Sequence, residues 1–357
     1  AKCGALGKAK EVFEELVVRD VVSWNVLISG YVQHGLGDDA LGCFRRMKDE
    51  GFSPNTVTFI CILKACSSIG SFEMGDEIYE EINKQRLLET DVVLGTTLLD
   101  TYAKCGLLIK AQEVFEKLPV HDVVSWSALI AGYVQHGLWD TALKYFKRMR
   151  DEGISPNMVT FLCILKACGK TGSLEMGEEV HKEVNKQRLL KKYDVLGNAL
   201  VDMYAKCGAL KKAHEVFDEI QGHNVISWNA LMAGYAQLGN DTDVVELFNK
   251  MIREDIEPSV VTFTMILTTC SHSGLLEKGQ MFLELMRKGY EIIPTLEHYT
   301  CMVDLFGRAG NFDQVIRVIE KMPTCNYLPT WIALLSACRK WGNPELGEIA
   351  CEHAIQL

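Results

Sequence analysis

The sequence predicts an all-α fold, an α-solenoid of stacked antiparallel helix-turn-helix repeats. A segment of nearly the same sequence recurs at residues 21, 123 and 225, and its tryptophans, Trp24, Trp126 and Trp228, are spaced by 102 residues. Each copy contains two stretches whose apolar residues follow helical spacing. A hairpin this short cannot bury its apolar face alone, so neighbouring hairpins must stack to form a continuous core.

The first copy shows how one hairpin is built. Its first predicted helix has apolar residues at i, i+3, i+4 and i+7, namely Trp24, Leu27, Ile28 and Tyr31. Its second predicted helix repeats the spacing with Ala40, Cys43, Phe44 and Met47. Gly35 ends the first helix, where glycine is free to take a left-handed cap, and Gly51 and Pro54 end the second.

The first two 102-residue blocks each divide into hairpin motifs of 35, 36 and 31 residues. Tetratricopeptide arrays keep a period of about 34 residues, so this alternation argues against them. Residues 1–20 are interpreted as a partial short motif and residues 328–357 as a truncated final hairpin. The complete motifs are predicted at residues 21–55, 56–91, 92–122, 123–157, 158–193, 194–224, 225–259, 260–295 and 296–327.

The composition argues against a membrane-spanning protein and against a secreted disulfide scaffold. Of the 357 residues, 48% are hydrophobic, which is enough to fill an inter-repeat core, yet no apolar run is long enough to span a membrane. No leader sequence is recognisable, and the first residues resemble the middle of a motif, so we expect a piece of a longer chain. The 13 cysteines follow the repeat; most lie on or next to apolar helix faces and are expected to be small buried hydrophobic residues in a reducing compartment.

Four sequence strings show a specific resemblance to plant pentatricopeptide-repeat proteins built from alternating P, L and S motifs. They are VVSWNVLISGY in a P motif, VTFICILKAC in an L motif, NALVDMYAKCGALKKAHEVFDEI in an S motif and HYTCMVDLFGRAG in the last S motif. TWIALLSACRKWGNPELGE resembles the first extension motif of RNA-editing factors. The resemblance covers the whole chain and implies a right-handed superhelix, a monomer, and a location in the mitochondrion or chloroplast.

The resemblance implies that the first helices bind single-stranded RNA, with roughly one base per repeat. Within each motif, numbered from its first residue, position five and the last position select the base. The implied pairs are Asn25 with Asn55, Thr96 with Asp122, Ser127 with Asn157, Asn198 with Asn224, and Asn229 with Ser259. They resemble a pyrimidine, a G, an A, a pyrimidine and a C reader, respectively.

The L motifs carry Ile60 and Leu162 at position five, and no base is expected there because these side chains form no hydrogen bond. The last L and S motifs pair Thr264 with Thr295 and Thr300 with Tyr327, for which no base is assigned. In order, the predicted target is Y-n-G-A-n-Y-C-n-n, where Y is C or U.

Position two is implied to pack against base faces. The residues there are Val22, Val57, Val93, Val124, Val159, Val195, Ile226 and Val261. Positions two and five are i and i+3 on a helix, so they share one face. The alternative for these apolar residues is an ordinary place in the core.

The net charge of −10 argues against nucleic acid unless the basic residues are clustered. One position near the end of the first helices is basic in several motifs: Lys2, Lys104, Lys170, Lys206 and Arg308. These residues are predicted to form a basic stripe that attracts phosphates. The alternative is a solvated face whose cations interact favourably with helix C-termini.

No catalytic activity, cofactor or metal site is expected in this chain. Zinc deaminases carry His-x-Glu followed by Pro-Cys-x-x-Cys. The chain has His181-Lys182-Glu183 in a second helix but no Cys-x-x-Cys, and His181 is interpreted as a surface residue.

Three functions remain open. The favoured one is the RNA-targeting module of an organellar C-to-U editing factor, with a deaminase domain elsewhere in the protein or a deaminase or editing cofactor protein supplied in trans. The second is RNA binding for splicing, stability or translation, and the third is a protein-binding scaffold.

Overall fold

The computed structural model describes residues 6–190, 192–220 and 222–357, and every regular element among them is helical, which confirms the all-α prediction. The described residues form two compact units, one that ends at Thr171 and one that begins at Gly172. The α-helices of the first unit are α1 Leu6–Glu15, α2 Val21–Gln33, α3 Gly37–Asp49, α4 Thr56–Ile69, α5 Phe72–Lys84, α6 Val92–Lys104, α7 Leu108–Lys117, α8 Val123–Gln135, α9 Trp139–Asp151 and α10 Met158–Thr171. A 3-10 helix, Leu87–Glu89, follows α5.

The second unit is built in the same way. Its α-helices are α11 Leu174–Lys186, α12 Asp194–Lys206, α13 Leu210–Glu219, α14 Val225–Gln237, α15 Asp241–Arg253, α16 Val260–Ser273, α17 Leu276–Glu284, α18 Leu296–Arg308, α19 Phe312–Ile319, α20 Leu328–Trp341 and α21 Pro344–Ile355. A π-helical turn, Leu285–Gly289, continues α17.

Within each unit the helices form two layers. The first helices of successive hairpins pack side by side, in the order α2, α4, α6, α8 and α10 in one unit and α12, α14, α16, α18 and α20 in the other. Second helices such as α3, α7, α13 and α15 pack against the first helix of their own hairpin and against the first helix of the next hairpin. The first helices therefore share one surface of each unit.

A polar residue directly before a first helix caps it. The Asp20, Asp122 and Asn224 side chains accept the backbone N–H of the third helical residue at 2.8, 2.8 and 3.1 Å. These bonds satisfy N–H groups that have no partner within the helix. Each cap is also the last residue of the preceding motif, so its side chain is held at the junction of two hairpins. Gly35, with a φ of +73°, takes the expected left-handed conformation after α2.

The three repeated tryptophans are the centres of the core. Trp24, Trp126 and Trp228 have no exposed surface. Each meets, edge to face, a phenylalanine from the preceding second helix, with ring centroids 4.5, 4.6 and 4.7 Å apart. Because this contact joins two consecutive hairpins, it stabilises the stacking itself.

Small residues let the first helices approach closely. A Cβ atom added at Gly132 would lie 2.6 Å from the Cβ of Ala103, and one added at Gly234 would lie 2.4 Å from the Cβ of Ala205. Both distances are far below van der Waals contact, so these positions require glycine. Neighbouring first helices are thereby held close enough for polar side chains on their shared surface to bond to one another.

Candidate nucleic-acid interface

The position-two residues lie exposed on the first helices. The exposed fractions in the first unit are 65% for Val22, 53% for Val57, 64% for Val93, 54% for Val124 and 47% for Val159. In the second unit they are 57% for Val195, 62% for Ile226 and 57% for Val261. This exposure excludes the core alternative for all eight residues. Each unit thus presents a row of apolar side chains, defined here as its apolar row, to solvent.

Position five lies one helical turn further on, and its side chains are buried or partly buried. Asn25 is 8% exposed, and its Nδ2 donates to Asn55 Oδ1 at 3.1 Å. The Thr58 hydroxyl donates to Asn25 Oδ1 at 2.7 Å. The sequence-predicted pair Asn25 and Asn55 is therefore brought together, at the point where α2 meets the start of α4.

The other two P motifs repeat this arrangement. In the third, Asn229 Nδ2 donates to Ser259 Oγ at 3.3 Å, and the Thr262 hydroxyl donates to Asn229 Oδ1 at 2.8 Å. In the second, Ser127 and Asn157 do not bond directly but meet through Thr160, whose hydroxyl lies 2.8 Å from Ser127 Oγ and 3.0 Å from Asn157 Oδ1.

The S motifs differ from the P motifs at this point. Thr96 Oγ1 and Asn198 Oδ1 are buried and have no hydrogen-bond partner among the described residues. Their predicted partners, Asp122 and Asn224, instead accept backbone N–H groups at the starts of α8 and α14. A buried polar atom without a partner costs about 1–3 kcal/mol. Such a cost is expected at a site where a ligand supplies the missing hydrogen bond.

The last L and S motifs also hold polar contacts at position five, although no base was assigned to them. Thr264 Oγ1 lies 3.2 Å from His298 Nε2, and Thr300 Oγ1 lies 2.7 Å from Thr330 Oγ1. His298 is fully buried, and burial lowers the pKa of its imidazole. Its Nδ1 accepts the backbone N–H of Thr295 at 3.1 Å, so Nε2 carries the proton of the neutral ring.

Sequence reasoning missed the residue at position three. Thr58, Thr160 and Thr262 are completely buried and contact the preceding position-five side chain. A signal was present, since these threonines recur at the 102-residue spacing. The recurrence was compatible with an ordinary helix start, since Thr58 and Thr262 also close capping boxes with the residues before their helices.

The predicted basic stripe is partly neutralised. Lys104 Nζ lies 2.6 Å from Asp100, Lys206 Nζ lies 2.6 Å from Asp202, and Arg308 Nε lies 2.8 Å from Asp304, each aspartate being one turn earlier on the same helix. Lys170 is exposed, and Lys2 lies outside the described residues. Exposed ion pairs are weak, so a phosphate can replace the aspartate as partner.

Reversing the charge of Lys104 and Lys206 together to Glu is expected to weaken binding of every RNA sequence. If both lysines contact phosphates, the slope of log affinity against log salt should fall by about 1.4, at about 0.7 per phosphate contact on a single strand. Titrations at several salt concentrations measure this slope.

The matched control reverses Lys110 and Lys212, which lie on the second helices α7 and α13 and pair with Asp76 and Glu178. This variant has the same change of net charge at the same 102-residue spacing, and its affinity should stay close to that of the original chain. Unchanged affinity in the Lys104 and Lys206 variant would remove the basic stripe from the proposal.

The described part of the chain holds no group of three or more His, Cys, Asp or Glu side chains arranged to bind a metal ion. Cys66, Cys168, Cys270 and Cys338 are buried, and burial raises the pKa of the Cys66 thiol to about 12. His181 is not the surface residue expected. It is half-buried, bonds to the Tyr204 hydroxyl at 2.9 Å, and its pKa is lowered by burial.

None of the described helices has both the length and the apolar character that a membrane crossing requires.

Models of the pentatricopeptide repeat match most of the chain. The one described as the PPR repeat family matches residues 19–68, 121–170 and 223–272. The one described as the PPR repeat matches residues 96–123, 159–189, 198–225, 261–289 and 297–327.

Curated relatives from Arabidopsis thaliana match along the whole chain. A putative pentatricopeptide repeat-containing protein named as mitochondrial is 36% identical over 356 residues, covering 100% of this chain and 59% of the relative. A second mitochondrial relative is 36% identical and covered to 52% of its length, and a chloroplastic one is 35% identical and covered to 40%. The chain thus spans about half the length of such relatives.

Solved structures show the same fold. The pentatricopeptide repeat protein PPR10 in complex with an 18-nt psaJ RNA element aligns with a TM-score of 0.71 at 17% identity, over 99% of this chain and 57% of that protein. A crystal structure of PPR10 from maize aligns with a TM-score of 0.58 at 17% identity, over 98% of this chain and 60% of that protein. With its repeats matched by family models and its hairpins stacked as in these structures, the chain belongs to the pentatricopeptide-repeat family.

Proposed function

We propose that this chain binds single-stranded RNA along the surface formed by its first helices, with about one base per repeat. The site residues are those predicted from the sequence: the apolar row at position two, the polar side chains at position five and the last position, and the basic stripe. The proposed target is Y-n-G-A-n-Y-C-n-n, and the proposed place of action is the mitochondrion or the chloroplast.

One observation carries the proposal. On each P motif the apolar side chain at position two is at least half-exposed. One helical turn later, the polar side chain at position five contacts the next hairpin. Val22 with Asn25, and Ile226 with Asn229, are examples. Apolar groups that pack on base faces and polar groups that hydrogen-bond base edges are what recognition of a single strand requires. A scaffold that binds peptides has no need for such a pair on successive repeats.

The family supports the same function. The PPR10 structure in complex with an 18-nt RNA element shows RNA bound by a protein of this fold. The unpartnered Thr96 Oγ1 and Asn198 Oδ1 add support from this chain itself, because a base edge would supply the hydrogen bonds they lack.

A binding titration at stated salt tests the proposal. One oligonucleotide carries Y-n-G-A-n-Y-C, and a second differs only in having the central G-A exchanged for A-G. We expect the first to bind at least tenfold more tightly, which corresponds to about 1.4 kcal/mol. That preference would support the assignments of Thr96 with Asp122 and of Ser127 with Asn157.

Two other outcomes of this titration would contradict part or all of the proposal. Equal affinity for the two oligonucleotides would leave RNA binding in place and overturn the base assignments. No binding to either would overturn the function and favour a protein-binding scaffold.

Within this function we propose that the chain is the targeting part of a C-to-U editing factor, with a deaminase domain or an editing cofactor protein acting on a C a few nucleotides 3′ of the bound segment. The support is the similarity of residues 328–357 to an extension motif. Sequencing organellar transcripts from plants without the protein should show one unedited C next to the target. A defect in splicing or transcript abundance with complete editing would favour the alternative role.

A further inference from the structure

A hydrogen bond from position three links five pairs of consecutive first helices. In the first unit Thr58 bonds to Asn25 at 2.7 Å and Thr160 to Ser127 at 2.8 Å. In the second unit the same link joins Thr262 to Asn229 at 2.8 Å, His298 to Thr264 at 3.2 Å and Thr330 to Thr300 at 2.7 Å. All five position-three side chains are at most 1% exposed. We define this contact as the junction bond.

Two contacts fix the direction of the Asn25 amide: one to Asn55 and one, the junction bond, to Thr58. Asn55 Oδ1 accepts the backbone N–H of Thr58 at 3.1 Å, which identifies that atom as the oxygen. Asn25 must therefore turn its NH₂ group toward it, at 3.1 Å, and its Oδ1 toward Thr58. The Thr58 hydroxyl accepts the backbone N–H of Asn55 at 3.2 Å. Its own proton has two acceptors, Asn25 Oδ1 at 2.7 Å and Asn55 Oδ1 at 3.1 Å, and Asn25 Oδ1 is the nearer.

The other P motifs have the same polarity. The Thr262 hydroxyl accepts the backbone N–H of Ser259 at 2.9 Å and donates to Asn229 Oδ1 at 2.8 Å. Ser127 gives its own proton to the backbone oxygen of Val123, so it can only accept from Thr160, whose hydroxyl proton is shared between Ser127 Oγ at 2.8 Å and Asn157 Oδ1 at 3.0 Å. In each case a hydroxyl fully enclosed by protein contacts the position-five group and helps to fix its direction.

The junctions that follow S motifs provide a natural comparison. Ser125 and Ser227 stand at position three there, and their hydroxyls donate to the carbonyl oxygens of Asp122 and Asn224 at 2.9 and 2.8 Å. A hydroxyl that donates its proton in this way has no proton left to donate to the preceding position-five side chain. Thr96 Oγ1 and Asn198 Oδ1 are accordingly without a partner in the described structure.

We propose that Thr58, Thr160 and Thr262 are positioning residues for base selection, each fixing through its junction bond which hydrogen-bonding group the preceding P motif offers to RNA. The proposal rests on the proposed RNA-binding function. An amide can present either N–H or C=O to a base, and these groups select different base edges. Without the hydroxyl, Asn25 Oδ1 loses its donor and only the contact to Asn55 holds the amide, so the base preference of the repeat weakens while its apolar contact with the base is kept.

In vitro selection from a random RNA pool tests the proposal without assuming any base code. The chain is compared with Thr58→Val, which keeps the shape of the side chain and removes the hydroxyl. The backbone N–H of residue 58 still has Asn55 Oδ1 as its acceptor, so the helix start is retained. We expect the preference at one nucleotide to fall at least fivefold toward equal use of all bases, while the other positions are unchanged.

The spacing of the P motifs along the chain makes this expectation more specific. Thr58 and Thr160 follow P motifs that are three repeats apart, so Thr160→Val should remove the preference at a nucleotide three positions from the one affected by Thr58→Val. Ser125→Ala is the matched control, because it changes position three where no junction bond exists. It should preserve the preferences at every nucleotide.

A double substitution shows whether Thr58 acts through Asn25. In an Asn25→Ala background, Thr58→Val should cause no further change in base preference. If Thr58→Val selects the same sequences as the original chain, the proposal is overturned. Loss of preference at all positions, together with a lower melting temperature, would also overturn it by showing a general structural role. If the unaltered chain selects no RNA, the proposed function itself has failed, which is a distinct result.

Discussion

Trp228→Ala is expected to destabilise the second unit by about 3–5 kcal/mol, the usual cost of removing a fully buried tryptophan. Trp228 has no exposed surface, and its ring lies 4.7 Å from that of Phe217 in the preceding hairpin. The substitution removes the contact between two repeats, so hydrogen exchange should accelerate in α13, α14 and α15. Urea denaturation followed by circular dichroism measures the loss.

Trp341→Ala is the matched control in the same unit. Trp341 is 51% exposed, although its Nε1 donates to the backbone oxygen of Gly307 at 3.0 Å. Its removal should cost much less than that of Trp228. Similar losses for the two variants would contradict the view that the repeated tryptophans are the centres of the core.

Replacing Val93, Val124 and Val159 together by serine is expected to reduce RNA affinity about a hundredfold. Packing on base faces contributes roughly 1–3 kcal/mol per base, and valine, which is smaller than an aromatic residue, belongs at the lower end of that range. Three such losses of about 1 kcal/mol each correspond to about two orders of magnitude in affinity. Because all three side chains are about half-exposed or more, the melting temperature should change little.

The control for this variant uses exposed apolar residues of the same unit that lie outside the first helices. Val12, Ile109 and Val120 are 60%, 78% and 59% exposed. Their triple replacement by serine removes a comparable amount of exposed apolar surface and should leave RNA affinity unchanged. Equal losses in the two triple variants would show that general surface hydrophobicity, not the apolar row, determines binding.

The helices could be predicted well because their apolar spacing is strong and is repeated. Trp24, Leu27, Ile28 and Tyr31 were placed on one face by spacing alone, and all four are buried. Cys43 was assigned to the buried face of the second helix but is only partly buried. Periodicity gives the direction of a side chain from its own helix, whereas its burial also depends on the neighbouring hairpin.

The candidate site could be predicted only as separate positions. The sequence placed Asn25 and Asn55 in one pair, and the structure brings them within 3.1 Å. It could not show that Thr58 joins them, because that contact depends on how closely α2 and α4 approach. Likewise, the ion pair of Lys104 with Asp100 depends on side-chain conformation, which spacing alone leaves open. The roles of these residues in RNA binding remain predictions until the experiments above are done.

The junction bond determines where an array of such repeats can be divided and rejoined without changing a base preference. A P motif transplanted alone would take Asn25 and Asn55 with it but leave Thr58 behind, since Thr58 belongs to the following L motif. Its base preference would then depend on the residue that happens to follow. The 102-residue block contains both the P motif and the L motif that follows it, so a segment of that length keeps the junction bond between them. Designed chimaeras of this protein should therefore place their boundaries after position three of the following motif, within the first turn of its first helix.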